Sequence, residues 1–156
     1  MRPLISRFLM VFLAVCAAGV VRAQREKLPP EDLAIVESSW PAAKKTNTGI
    51  RYIIEREGHG APPVPGDLVS VTYTGRLLDG VTFDESLDPK HPLVFRVARE
   101  TVIQGWDFVI QQMKLGERRL VIIPPELAYG TRGQPPRIPR NATLVFVMEL
   151  VDIKRE

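Results

Sequence analysis

The sequence predicts an α+β fold in which a twisted antiparallel β-sheet wraps around one short α-helix. Three observations lead there. Apolar and polar residues alternate with strand period at Ile50/Tyr52/Ile54, at Val69/Val71/Tyr73 and at Leu144/Phe146/Met148/Leu150. Turn signals, Asp79-Gly80 foremost, separate these stretches at short intervals. In the second half of the chain only residues 100–113 carry helical spacing, with Ile103, Trp106, Val109, Ile110 and Met113 on one face. A lone amphipathic helix among strands has one natural use, which is to fill the hollow side of a curved sheet.

Taken in order, the chain of 156 residues opens on an extension to its compact part. Arg2 and Arg7 precede an apolar run from Phe8 to Val21, and Val21-Arg22-Ala23 places small residues at −3 and −1 before Gln24. That is the layout of a cleaved signal peptide over residues 1–23, and it predicts an exported protein, periplasmic or secreted. The alternative is a membrane anchor through residues 4–21, a run near the lower limit for spanning. A lipid anchor on Cys16 is less well supported, because Val15 fits the attachment pattern poorly.

Without residues 1–23 the charge changes. They hold Arg2, Arg7 and Arg22 and no acid, so the net charge of +3 falls to zero. No Lys/Arg run longer than two remains, which leaves no electrostatic footprint for nucleic acid. Cys16 is the only cysteine, so the processed chain forms no disulfide and its core must hold alone.

Residues 24–47 are charged and punctuated by prolines, and read as a flexible N-terminal arm, either a tether or a loosely docked segment. Pro29-Pro30-Glu31-Asp32 opens a short helix through Leu33, Ile35 and Val36 that Pro41 ends. The compact domain, residues 48–156, follows. A strand at residues 50–54 gives way to the Gly/Pro-rich loop 58–67. A strand from Val69 to Leu77 or Leu78, a hairpin turn at Asp79-Gly80 and a return strand at residues 81–84 come next, then a strand at residues 93–97. Thr101 is a candidate N-cap for the helix, and Gly116 its stop. A strand at residues 118–123 ends at Pro124-Pro125. A long loop over residues 129–140, stiffened by Pro135, Pro136 and Pro139, leads to the last strand at about residues 143–153.

Several chemistries are excluded by what is missing. His59 and His91 are the only histidines, each in a Gly/Pro-rich loop, and no ligand spacing suggests a metal. Gly58-His59-Gly60 lacks the helix and lysine of a phosphate cradle. No serine has a recognisable histidine partner, which argues against a hydrolase. The reading requires no cofactor and no metal. What remains is a set of aromatic residues from five elements: Tyr73, Phe83, Trp106, Tyr129 and Phe146. Either they are ordinary core, or they converge on an apolar cleft with two phenol tips, one indole N–H and Asp84 beside Phe83. A carboxylate in that position must be hydrogen-bonded, or it costs several kcal/mol.

Val71-Thr72-Tyr73-Thr74-Gly75, Leu78-Asp79-Gly80 and Phe83-Asp84 resemble the signature of the FKBP-type peptidyl-prolyl cis-trans isomerases, of secreted bacterial type. Val102-Ile103-Gln104-Gly105-Trp106, Leu127-Ala128-Tyr129-Gly130, Ile138-Pro139 and Ala142-Thr143-Leu144-Val145-Phe146 follow in the same order and at matching spacing. The resemblance covers residues 48–153. It implies the fold named above and a monomeric isomerase acting on proline-containing polypeptides, with macrolide inhibitors among its ligands. It also implies a site: Trp106 as the pocket floor, and Tyr73, Phe83 and Phe146 as walls. Val102 and Ile138 contribute further apolar surface, the Ile103 N–H and Tyr129 hydroxyl are donors to substrate carbonyls, and Asp84 is an orienting group at the edge. Three positions depart from the family pattern. Leu93 replaces an aromatic wall and widens one side, Gln134 stands where a loop histidine is common, and Pro89 replaces an arginine near Asp84. These departures bear on efficiency and ligand range. They also sustain a second reading, a non-catalytic binding or chaperone module built on the same cleft.

Overall fold

A computed structural model describes residues 25–155. The expected leader, residues 1–23, lies outside the described residues. Among those described, no helix is long and apolar enough to cross a membrane.

The alternating stretches form seven strands, all paired antiparallel: β1 (Lys44–Lys45), β2 (Arg51–Arg56), β3 (Leu68–Leu77), β4 (Thr82–Ser86), β5 (Leu93–Arg96), β6 (Arg118–Ile123) and β7 (Leu144–Lys154). Their order is β1-β2-β6-β7-β3-β4, with β5 also on β3. The spine is the β3–β7 pair, in register from Leu77↔Leu144 to Leu68↔Lys154 with one irregularity between Ser70 and Val71. On its other edge β3 is shared. Leu68 to Val71 pair with β5, and Tyr73 to Arg76 pair with β4. The chain between those partners leaves the sheet at residues 87–92, and this split edge is where the sheet opens.

The turn chemistry behaves as the sequence predicts. Gly80 adopts φ 90°, and Leu77 and Val81 close the hairpin with a 2.9 Å hydrogen bond. The inward stripe Leu144, Phe146, Met148 and Leu150 is buried. It joins Val69, Val71, Tyr73, Val121 and Ile123 in the main core beneath α2 (Gln104–Ile110).

The helix α2 is shorter than its apolar spacing suggests. Ile103, not Thr101, is the N-cap, and no side chain caps it. Ala98 and Glu100 sit at φ 55° and 57°, a backbone that cannot lead straight into a helix, so the chain enters through an irregular loop. Asp107 ties that loop down by accepting the Ala98 N–H at 2.9 Å. At the far end Met113 is fully buried in a turn beyond the helix, which is why it kept the spacing. Gly116, with φ 77°, does not stop the helix; its N–H bonds Leu150 O in the turn into β6. Beside that turn a buried pair, Arg119 Nε to Glu117 Oε1 at 2.6 Å, holds residues 114–119 in place.

The larger departure lies in the stretch read as a flexible arm. Residues 30–39 form a ten-residue helix, α1 (Pro30–Ser39), opened by Pro30 in its first turn and ended before Pro41. It is packed. Val36 and Leu28 are buried against Ile122 and Val145, on the sheet face opposite α2. Glu26 locks the entry by accepting from Lys45, Arg51 and the Lys27 and Leu28 amides. Partial burial works against its charge, but these donors outweigh it and hold the carboxyl down at about 2. The sheet therefore carries a helix on each face. On β6, Val121 and Ile123 face α2 while Leu120 and Ile122 face α1.

One glycine sets the distance between α2 and the sheet. A Cβ on Gly105 would stand 2.6 Å from Ile123 Cγ2 and 3.2 Å from Leu127 O, so the helix backbone rests directly on the Ile123 side chain. Gly105→Ala should therefore destabilise the protein by about 1–3 kcal/mol through overpacking, against the usual gain of Ala over Gly within a helix. Urea denaturation of the purified variant measures this, and unchanged or raised stability would show that the close approach does not constrain the fold.

Candidate active site

The split edge of β3 and the short α2 bring the sequence-predicted residues to one cleft of about 250 Å³. Tyr73 comes from β3, Phe83 and Asp84 from β4, Leu93 from β5, and Val102 and Ile103 from the entry loop. Trp106 comes from α2, Tyr129 from the loop after β6, and Phe146 from β7. Ile138 does not line this cleft. It is buried, at 1% exposure, and borders an adjoining hollow that shares Phe83, Asp84 and Tyr129 with the cleft. Sequence reasoning missed two neighbours. Thr101 lines the cleft instead of capping the helix. Phe95 supports Trp106 from the core, its ring centroid 5.9 Å away, and gave no signal beyond its place in a strand.

The aromatic geometry is ordered around the indole. Tyr73 meets Trp106 at 4.8 Å and 87°, and Phe146 meets it at 5.3 Å and 85°, both edge to face. Phe83 stands against Phe146 at 5.7 Å and 90°. Such pairs put the positive ring edge onto a negative face and are worth roughly 0.5–1.5 kcal/mol each beyond area burial. A second close approach makes room for them: a Cβ on Gly75 would lie 2.7 Å from Phe83 and 2.8 Å from Phe146. Trp106 Nε1 is buried with no hydrogen-bond partner among the described residues, at a cost of order 1–3 kcal/mol. The floor of the cleft is thus an aromatic surface.

The polar groups sit around the rim. The Tyr73 hydroxyl donates to Asp84 Oδ2 at 2.6 Å, and the Glu85 N–H donates to Asp84 Oδ1 at 3.0 Å. The Tyr73 phenol is the side chain that holds Asp84. Burial, then the hydrogen bond and charge of Asp84, raise the Tyr73 pKa well above that of an ordinary phenol. Burial and the same carboxylate also raise Tyr129. Both hydroxyls therefore stay protonated as donors across the neutral range. Gln134 borders the adjoining hollow, and Arg137 beside it reaches Phe83 O at 3.5 Å. Among the described residues no group of three or more His, Cys, Asp or Glu is placed to hold a metal ion. His91 faces Asp88, and His59 is exposed near Leu115.

This arrangement has known counterparts, since the family model for FKBP-type peptidyl-prolyl cis-trans isomerases matches residues 60–151. The chain belongs to the FKBP family. A "Peptidyl-prolyl cis-trans isomerase FKBP4" from Homo sapiens is 45% identical over 135 residues, covering 86% of this chain and 28% of that protein. The chain thus spans little more than a quarter of that relative's length. An "FK506-binding protein 1A" from Aspergillus fumigatus is 42% identical over 109 residues, covering 69% of this chain and 97% of that one. Among solved structures, a peptidyl-prolyl cis-trans isomerase from Pseudomonas syringae pv. tomato superposes with a TM-score of 0.71 at 31% identity. It covers 80% of this chain and 92% of its own.

Floor and rim should separate in mutants of this FKBP. Trp106→Ala removes the indole on which three rings converge and should cost about 3–5 kcal/mol of stability. Asp84→Ala touches an exposed rim group and should cost within about 1 kcal/mol. Denaturant midpoints of the two variants check this, and equal losses would assign Asp84 a structural role.

Proposed function

We propose that this FKBP is a peptidyl-prolyl cis-trans isomerase acting on proline-containing polypeptides, and that it does so by binding the twisted amide in the Trp106 cleft. The single observation that carries the reading is the indole floor walled by Tyr73, Phe83 and Phe146 with Asp84 and two neutral phenols at its rim. Rotation about X–Pro faces a barrier of about 18–20 kcal/mol, because amide resonance must be broken. Nothing needs to be attacked and no proton needs to be transferred. Out of conjugation, the amide carbonyl is less polar and loses less on leaving water, so an aromatic cavity favours the twisted state over either planar isomer. Lowering the barrier by roughly 6–7 kcal/mol gives about 10⁴–10⁵ in rate. In this mechanism Trp106 supports the proline ring. The Ile103 N–H at the head of α2 and the Tyr129 hydroxyl hold substrate carbonyls, and Asp84 orients the amide from the edge. Val102 and Leu93 complete the apolar surface, which is also where the family's macrolide inhibitors would compete.

A coupled assay on a short X-Pro peptide tests this. The wild type should accelerate isomerisation, and Asp84→Ala should lower kcat/KM by about tenfold or more. The rate should be nearly flat from about pH 6 to 8, since the reaction uses no titrating base. The sign follows from the phenols: both are raised above 10.0, so their protonated state and the stability linked to it are complete below that pH and are lost only as pH rises beyond it. A bell-shaped profile centred near neutrality would sink the mechanism. No acceleration over background would favour the binding or chaperone module, which Leu93 and Gln134 keep open.

The leader pattern of residues 1–23 supports export to the periplasm or medium, where the domain would speed folding of exported proteins as a monomer. Native mass spectrometry of the protein recovered from expressing cells should give one chain beginning at Gln24. A mass that retains residues 1–23 in a membrane fraction would establish the anchored alternative.

A further inference from the structure

The loop that carries Tyr129 and Ile138 runs from the end of β6 to the start of β7. Both of its ends are held by the N-terminal arm. At one end Lys27 Nζ pairs with Glu126 Oε1 at 2.5 Å, in the 3-10 turn Pro125–Leu127 that leads to Tyr129. At the other end the Thr143 hydroxyl, in a residue only 2% exposed, donates to Asp32 Oδ2 of α1 at 2.6 Å. Within the loop, Gly130 N–H bonds Pro125 O, Gly133 N–H bonds Tyr129 O, and Asn141 N–H bonds Gly130 O, at 2.8, 3.1 and 2.9 Å. These bonds tie Tyr129 to both held ends. The arm itself is fixed beneath them by Val36 and Leu28, buried against Ile122 and Val145.

We infer that Asp32, with Lys27 as a weaker second tie, is a positioning residue for the isomerase site: the arm clamps the two ends of the 129–142 loop and so places the Tyr129 hydroxyl against the substrate. The Asp32–Thr143 bond carries most of this, because it is charge-assisted and its hydroxyl is buried. Lys27–Glu126 is half exposed and contributes little alone. The inference rests on the isomerase reading for its catalytic consequence but not for the clamp. A loosened loop weakens contacts made to planar and twisted amide alike, so it raises KM and leaves kcat in place.

The test uses the chain from Gln24 onward, carrying Asp32→Ala, Asp32→Asn or, as a control in the same exposed turn of α1, Glu31→Ala. Amide exchange at Gly133 and Asn141 should quicken by about 3- to 10-fold in Asp32→Ala. KM for an X-Pro peptide should rise by a similar factor with kcat within about twofold. Asp32→Asn keeps an acceptor for Thr143 and should restore most of both, and Glu31→Ala should match the wild type. The inference is overturned if Asp32→Ala lowers the melting temperature while loop exchange stays at the wild-type rate, or if exchange quickens without a change in KM. If the wild type shows no isomerase activity at all, the functional reading fails with the catalytic consequence, and the exchange rates alone decide whether the clamp exists.

Discussion

The closeness of α2 to β6 is the constraint from which the site follows. With Gly105 against Ile123, the helix approaches the sheet more closely than a side chain at position 105 would permit, and Trp106 packs in the core with the β3 and β7 side chains. There Tyr73 and Phe146 can both present ring edges to the indole. A helix held further off would leave a gap beneath the ring, and voids of that kind cost dispersion contacts on every facing side chain. Gly75 plays the matching part on β3, where a side chain would collide with Phe83 and Phe146. Two missing Cβ atoms, one on each side of the aromatic cluster, thus set the shape of the cleft.

The mouth of the cleft has a different origin. Every strand of the sheet except β3 pairs with at most two others along simple edges, whereas β3 gives one edge to β5 and then to β4. The departure of residues 87–92 between them breaks that edge of β3 between Val71, paired with Leu93, and Tyr73, paired with Ser86, and the cleft lies beside this break. A continuous partner strand would bury the same residues as plain core. The cleft is therefore a local interruption of sheet pairing above a packed indole.

Much of this was legible in the sequence, and the reasons differ by element. The strands were legible because period-two alternation survives wherever one face is buried, as along Leu144, Phe146, Met148 and Leu150. The cleft residues were legible as words in a family pattern, while their convergence could not be read from spacing, because it depends on pairings such as Gly75↔Phe146 between distant residues. The helix limits were misjudged at both ends for one reason: Met113 and Val102 are apolar since they face the core or cleft, although neither is helical. The arm was harder still. Its helix buries only Val36 fully, with Leu28 just before it, too few positions to raise a periodic signal. Its docking depends on Ile122 and Val145, whose outward-facing side chains read as ordinary strand residues.

The electrostatics of the rim follow from the same packing. Pro89 supplies no charge, and among the described residues Asp84 forms no salt bridge; its close side-chain partner is a neutral phenol. A cation at 3 Å would neutralise the carboxylate and flatten its field, whereas a hydrogen-bonded phenol leaves the full negative charge in place. That charge is felt at both tyrosines, which is why burial and Asp84 together push each phenol upward. The consequence runs in a useful direction. Burial and the carboxylate make each hydroxyl harder to ionise, so the two rim donors keep their protons. Both phenols therefore remain hydrogen-bond donors over the pH range in which proteins fold.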